Sequence, residues 1–276
     1  YALGHELAGT VVALGSEVTA AAVGDRVCVE PFIYCGHCRY CMSGRYFQCP
    51  EMGFLTLTAD GAFSRYMLTP AYSLYELPDS VSFEVGALAE PLAVGIHAAR
   101  LSGVGAADTV LVLGAGAIGL MCVAAARHMG ARRVLVTGRH AHQAQAALAL
   151  GADAVLSTDT DELKQQLGGE LPDVVLEAVG SEARTLQQAI DVAAPLGRIA
   201  LMGGNTAPMD GIDFSRVIMK ELTLFGSGCY SQFGTCRDFS LAVDALAAKP
   251  AVFESLITHR YPLASICEAF ETAQDK

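Results

Sequence analysis

The chain has 276 residues, of which 52% are hydrophobic and 17% charged, with a formal net charge of -11 and a sequence pI near 5.0. Such a balance excludes a disordered chain, which lacks the apolar surface to bury. The acidity excludes non-specific nucleic-acid binding, which needs a basic face. The length leaves room for two domains.

Residues 1–95 carry short β-type runs broken by glycine and proline. "GTVVALG" (9–15) and "DRVCVEP" (25–31) read as strands with turn signals between them. No long amphipathic helix is evident in this part, which reads as a small β-rich domain. Within it, "YCGHCRYCMSGRYFQC" (34–49) places Cys35, Cys38, Cys41 and Cys49 in one short loop, with Gly36 and Gly44 supplying turns. Four thiolates so spaced can wrap tetrahedrally around one zinc ion. An iron–sulfur cluster fits the thiol count as well. His37 reads as a solvated loop residue. Cys28, Cys122, Cys229, Cys236 and Cys267 lie in apolar or mixed surroundings and read as buried reduced thiols. The odd total of nine is not that of a secreted disulfide scaffold, so a reducing cytoplasm is the expected setting.

From about residue 96 strands alternate with helical patterns. The strands are the continuous apolar runs at 109–114, 132–138, 153–157, 173–180, 197–204 and 222–227, and the helices between them include 117–130 and 142–151. This order predicts an α/β fold with a doubly wound parallel sheet covered on both faces. Residues 238–249 and 263–274 read as amphipathic helices. The longest uncharged run, 109–126, has a length borderline for a membrane span. Its three glycines directly after a β-rich stretch make it a strand–turn–helix instead, so no membrane association is expected. The chain opens on Tyr1 with residues of mid-domain character, and a fragment is the expectation.

"VLVLGAGAIGL" holds Gly114, Gly116 and Gly119 at G-x-G-x-x-G spacing, after a strand and at the opening of a helix that begins with Ala117 and Ile118. The first glycine permits the tight turn, the second admits a pyrophosphate and the third packs helix on strand. The helix N-terminus offers free N–H groups to the phosphates. The next strand ends in Gly138, Arg139 and His140, where an NAD site usually carries an acid for the ribose 2′-hydroxyl. Without that acid, and with Arg139 able to pair with a 2′-phosphate, NADP is preferred over NAD.

"GHELAGTV" (4–11) sets His5 beside Glu6, and "ALAEPLAVG" (87–95) carries Glu90; imidazole and carboxylate are both competent zinc ligands. In this order with the cysteine loop, the motifs resemble the zinc-dependent medium-chain dehydrogenase/reductase family, the alcohol dehydrogenase superfamily. "EPLAVG" is most similar to the sorbitol (polyol) dehydrogenase branch. The resemblance implies a GroES-like β-barrel catalytic domain over 1–95, a Rossmann domain over 96–229, a return to the catalytic domain over 230–276, and an active site in the cleft between them. It implies a catalytic zinc at His5, Glu6 and Glu90, and a structural zinc at Cys35, Cys38, Cys41 and Cys49. It places the backbone around Val179, Met202 and Ser227 along the cofactor cleft. A small-molecule alcohol or ketone substrate, a nicotinamide cofactor and a homodimer or homotetramer follow from it. The family carries a further cysteine ligand several dozen residues before G-H-E, and a last strand after "AFETAQDK". Neither is in this chain, and the expectation is that it is part of a longer protein. Two other readings compete. A zinc-free quinone-type reductase of the same superfamily is opposed by His5, Glu90 and the cysteine loop. A non-catalytic zinc module joined to a nucleotide-sensing domain would show no alcohol-dependent nicotinamide reduction.

Overall fold

A computed structural model describes residues 2–180, 184–204 and 211–274. The first part is built on strands β1 (Ala8–Thr10) and β2 (Arg26–Val29), a small antiparallel pair β3 (Phe32–Ile33) and β4 (Gly53–Phe54), and β5 (Leu74–Glu76). β2 is central and antiparallel to both β1 and β5. Its alternation sorts side chains by face: Val27 and Val29 join Leu55 in a small cluster, while Cys28 is wholly buried in the main core. The strand expected over 9–15 is cut short. Pairing with β2 ends at Thr10, beyond which Val12 and Leu14 are exposed and the chain turns between Gly15 and Val18. Apolar alternation makes a strand only where a partner edge runs alongside.

One helical turn, α1 (Arg39–Met42), lies in the cysteine loop. α2 (Phe83–Ala87) starts from Ser82, whose hydroxyl accepts from the Val85 N–H. α3 (Ala89–Leu101) follows directly and runs through residues 95 and 96, where the sequence changes character. Ten of its thirteen residues are buried, so it is a core rod rather than an amphipathic surface helix. It packs on α4 (Ala117–His128) and on a helix near the end of the chain. A Cβ on Gly95 would fall 2.8 Å from the Met121 carbonyl, so only glycine permits this approach.

The α/β expectation holds. β6 (Thr109–Leu113) leads into α4, followed by β7 (Arg133–Thr137), α5 (Ala141–Leu150), β8 (Ala154–Leu156), α6 (Thr160–Leu167) and β9 (Val174–Glu177). Then come α7 (Thr185–Val192), β10 (Arg198–Leu201), α8 (Phe214–Met219) and β11 (Thr223–Gly226). All pairings in this sheet are parallel, in the order β11-β10-β9-β6-β7-β8. Strand order reverses beside β6, which pairs with β7 on one side and β9 on the other. The crevice at the carboxyl ends of β6 and β9 is where such sheets bind ligands.

After β11 the chain forms a hairpin not foreseen from the sequence, β12 (Gln232–Phe233) with β13 (Cys236–Arg237). α9 (Asp238–Ala248) then packs on α3, followed by α10 (Pro250–Glu254). The helix expected over 263–274 is a 3₁₀ turn at Leu263–Ser265 continued by α11 (Ile266–Gln274). Among the described residues, no helix is long and apolar enough to cross a membrane.

Candidate active site

The cysteine loop folds so that its four sulfurs converge. Cys38 Sγ lies 3.5 Å from Cys41 Sγ, Cys35 Sγ lies 3.9 Å from Cys41 Sγ, and Cys49 Sγ lies 3.6 Å from Cys35 Sγ. A disulfide needs about 2.05 Å. Four sulfurs on the corners of a tetrahedron at about 2.3 Å from a zinc ion are about 3.8 Å apart, so the donor set fits that metal. Local backbone prepares Cys35 and Cys38 to ionise, while burial pushes the Cys41 thiol up to about 12, so a cation is needed to hold the set as thiolates. The amide of Cys38 points at Cys35 Sγ and that of Cys41 at Cys38 Sγ, which caps α1. The Cys41 amide brings the Cys38 thiol down to about 7, and amide bonds from His37 and Cys38 lower that of Cys35. His37 is exposed, with Nδ1 against the Cys35 carbonyl at 2.9 Å.

His5, Glu6 and Glu90 also meet, each offering a ligand atom within 4.8 Å of the others. Glycines set the first two. Gly4 has φ +91, and the backbone of Leu3 and Gly4 lies against Gly61 so closely that a Cβ there would be 2.3 Å from the Gly4 carbonyl. Glu90 arrives from the first turn of α3 and is 5% exposed. Burial lowers the His5 pKa, and although part of Glu6 faces solvent, the crowding around its carboxyl raises its pKa. Glu90 is pushed up to about 8, by burial first and then by the charges of Glu6 and Glu30, against a hydrogen bond from Tyr230 that lowers it. A neutral imidazole beside two carboxyls that repel each other suits a divalent cation.

The same crowding gives a stability prediction. A carboxyl raised from 4.5 to about 8 holds more protons folded than unfolded between those values. The metal-free protein therefore loses stability as pH rises through that window, by several kcal/mol at about 1.4 kcal/mol per pH unit. Added zinc removes the loss. Thermal melts from pH 5 to 9 with and without zinc check this, and a flat metal-free profile contradicts it.

The glycine turn fits a dinucleotide. Gly114 has φ +94, and a Cβ there would meet Val179 at 2.7 Å, so the ends of β6 and β9 touch across the crevice. A Cβ on Gly119 would fall 1.8 Å from the Gly114 carbonyl, whereas Gly116 faces open space. Gly116 caps α4 with no side-chain bond, leaving N–H groups of the first turn, near Ala117 and Ile118, to a phosphate. Val179 is 43% exposed at the crevice, while Met202 is half-buried against Cys122 Sγ at 3.7 Å. The Ser227 hydroxyl is buried without a partner among the described residues. A Cβ at Gly138 would lie 3.2 Å from Val155 and 3.4 Å from Ala115, so this position stands beside the glycine turn. Arg139 is exposed just beyond it.

Three residues went unremarked in the sequence. Glu177 is buried at the end of β9, and its Oε1 accepts from the amides of Val179 and Gly180 and from the Thr185 hydroxyl, shaping the loop that lines the crevice. Tyr230, fully buried, donates from its hydroxyl to Glu90 Oε1 at 3.2 Å. It follows Ser227 by three residues and so joins the carboxyl end of β11 to the three-residue cluster. Asp238, fully buried at the start of α9, anchors the same segment. None of these sits in a recognisable motif.

Comparison with known proteins agrees with this architecture. Residues 1–79 match the alcohol dehydrogenase GroES-like domain and residues 117–248 the zinc-binding dehydrogenase domain. Human sorbitol dehydrogenase is 38% identical over 277 residues, covering 98% of this chain and 76% of that protein. An alcohol dehydrogenase of Escherichia coli CFT073 complexed with NADH superposes with a TM-score of 0.87 at 29% identity, over 98% of this chain and 79% of that one. A protein of Sinorhizobium meliloti 1021 solved with NADP superposes at 0.81 with 32% identity, over 90% and 73%. The converging cysteines, the His–Glu–Glu cluster, the glycine crevice and these likenesses agree: the chain belongs to the zinc-binding dehydrogenases of the alcohol dehydrogenase family.

Proposed function

We propose that the protein catalyses the reversible oxidation of a secondary hydroxyl of a polyol to a ketone, the carbon-bound hydride passing to NADP in preference to NAD. The observation that carries this reading is the convergence of His5, Glu6 and Glu90, tied through Tyr230 to the strand end that lines the cofactor crevice. The likeness to sorbitol dehydrogenase supports a polyol as the substrate class. His5, Glu6 and Glu90 are assigned to a catalytic zinc, and Cys35, Cys38, Cys41 and Cys49 to a structural one. Zinc at the first cluster supplies a Lewis acid that lowers the pKa of an alcohol. His5 is kept neutral by burial, which leaves a ring lone pair available. Tyr230 occupies Glu90 Oε1, so the other oxygen is the one left to take a hydrogen bond or a proton from the substrate side. The glycine turn and the Ser227 hydroxyl orient the cofactor, Ser227 offering the hydrogen bond that its buried oxygen lacks. The reduced thiols of the lobe suit a cytoplasmic setting, and a homodimer or homotetramer is the assembly we infer from the family.

Polyol-dependent reduction of NADP, with zinc counted by elemental analysis, tests the reading; zinc-loaded protein that reduces neither NADP nor NAD with any polyol defeats it. Cofactor choice has its own test. Losing a bidentate contact to a 2′-phosphate costs about 1.5–3 kcal/mol. Arg139→Ala is therefore expected to raise KM for NADP roughly tenfold to a hundredfold and to leave that for NAD within about twofold. Equal effects on the two cofactors would assign Arg139 to something other than the 2′-phosphate.

A further inference from the structure

Tyr230 holds Glu90, but a buried side chain on a loop does not hold itself. Its segment is fastened by Asp238. Asp238 Oδ2 accepts from the Ser231 N–H at 2.8 Å and pairs with His97 Nδ1 at 2.7 Å, while Oδ1 accepts from Arg100 Nη1 at 2.6 Å. The Asp238 N–H in turn donates to the Ser231 carbonyl at 3.0 Å. A carboxylate with no exposed surface is thus fully engaged, and two of its partners, His97 and Arg100, stand on α3, the helix that carries Glu90.

We propose that Asp238 is a positioning residue for the active site, clamping residues 229–231 onto α3 so that Tyr230 presents its hydroxyl to Glu90. The inference rests on the role of Glu90 given above. His97 lies seven residues beyond Glu90, about 10 Å along the helix axis. One short segment is therefore attached to one rigid helix at two levels, Tyr230 at the first turn and Asp238 two turns on. Cys229 leads into the segment at φ +46, a left-handed conformation that a non-glycine residue keeps only where its surroundings impose it. Phe239, the neighbour of Asp238, stands edge-on to the Tyr230 ring at 5.8 Å, and the Phe32 ring packs against it at 5.0 Å. The hydroxyl contact to Glu90 is 3.2 Å, long for an O–H donor, so a shift of a few tenths of an ångström forfeits it. An acid in the first turn of α9 would by itself satisfy the helix dipole. That role needs neither the histidine nor the arginine of α3.

The test is a cobalt(II) titration of the metal-free protein. Thiolate-to-cobalt bands, with the intense d–d bands of a tetrahedral thiolate site, report the four-cysteine cluster, and cobalt bound beyond their saturation, counted by elemental analysis, reports His5, Glu6 and Glu90. Partners behind metal ligands typically change affinity tenfold to a hundredfold. Asp238→Asn is expected to weaken cobalt binding at the three-residue cluster by at least tenfold, with the thiolate bands unchanged. Because Asp238 acts through Tyr230, the double variant with Tyr230→Phe should bind no more weakly than Tyr230→Phe alone. Wild-type cobalt affinity in a folded Asp238→Asn protein, or effects that multiply in the double variant, would overturn the inference. Should Asp238→Asn fail to fold, His97→Gln keeps the arginine pair and removes half the clamp; an unchanged cobalt affinity there overturns the inference equally. Wild-type protein binding no cobalt beyond the saturation of the thiolate bands defeats the assignment of the His5–Glu6–Glu90 site, and the inference with it. Cobalt bound there but indifferent to Asp238 defeats only the clamp.

Discussion

Replacing Glu90 by alanine is expected to lower kcat by about a hundredfold or more, the range over which a positioned acid–base group acts, while the Kd for the nicotinamide cofactor stays within about twofold. The asymmetry follows from where the residue sits. Glu90 is 5% exposed at the start of α3, bonded to Tyr230 and clustered with His5 and Glu6, whereas the cofactor contacts proposed above come from the glycine turn after β6. Glu90→Gln separates charge from shape, because the amide oxygen still accepts from Tyr230. A glutamine variant as slow as the alanine one would show that the carboxylate is what matters. Alanine should also stabilise the metal-free protein above about pH 8, since it removes a carboxyl whose ionised form burial and Glu6 oppose. Such a gain in stability with a loss of turnover is the usual signature of a functional residue. Steady-state kinetics beside thermal melts read both, and turnover equal to wild type would take Glu90 out of the reaction.

Cys41→Ser is expected to remove the zinc of the lobe and several kcal/mol of stability. Metal binding at such sites is itself folding free energy, of order 10 kcal/mol in isolated peptides. For a chain of this size, several kcal/mol corresponds to a drop in Tm on the order of 10 °C. Cys41 Sγ is in contact with the sulfurs of both Cys38 and Cys35, so serine leaves no closed set of four. The damage should travel. The Gln232 N–H donates to the Gly44 carbonyl, a Cβ on Gly44 would fall 2.4 Å from the Gln232 carbonyl, and Phe47 fills the space where a side chain at Gly228 would go. The lobe therefore props the loop that carries Tyr230, and kcat should fall with zinc content. Elemental analysis and a melt decide the matter together: unchanged zinc per chain would mean that the four thiols hold something else or nothing.

The parts of this molecule legible in the sequence are those whose chemistry is local. Cys35, Cys38, Cys41 and Cys49 lie in one loop, so their spacing alone announces a common ligand. Gly114, Gly116 and Gly119 announce a strand–turn–helix because the turn, the close packing and the free amides all arise within one βα unit, and the apolar runs of the inner strands β6, β7, β9 and β10 read as strands because both faces are covered. The reach of a strand was less legible. Residues 9–15 have the alternation of one, but backbone bonds to the neighbouring segment end at Val11, which meets Asp25 and Gly24, and that is a property of another segment. His5 and Glu6 could be linked to Glu90 only through family resemblance, since no local pattern joins residues so far apart. Tyr230 and Asp238 had no signal at all. Tyr230 meets Glu90 across 140 residues, and Asp238 meets His97 and Arg100 across 141 and 138. In the sequence one is an aromatic in a stretch of small and polar residues and the other an ordinary acid at a helix start. Composition and short-range spacing thus determined the fold class and singled out the cysteine loop and the glycine turn. The assembly of the active site was decided by the packing of α9 and the loop after β11 onto α3, because hydrogen bonds between buried groups depend on where helices dock.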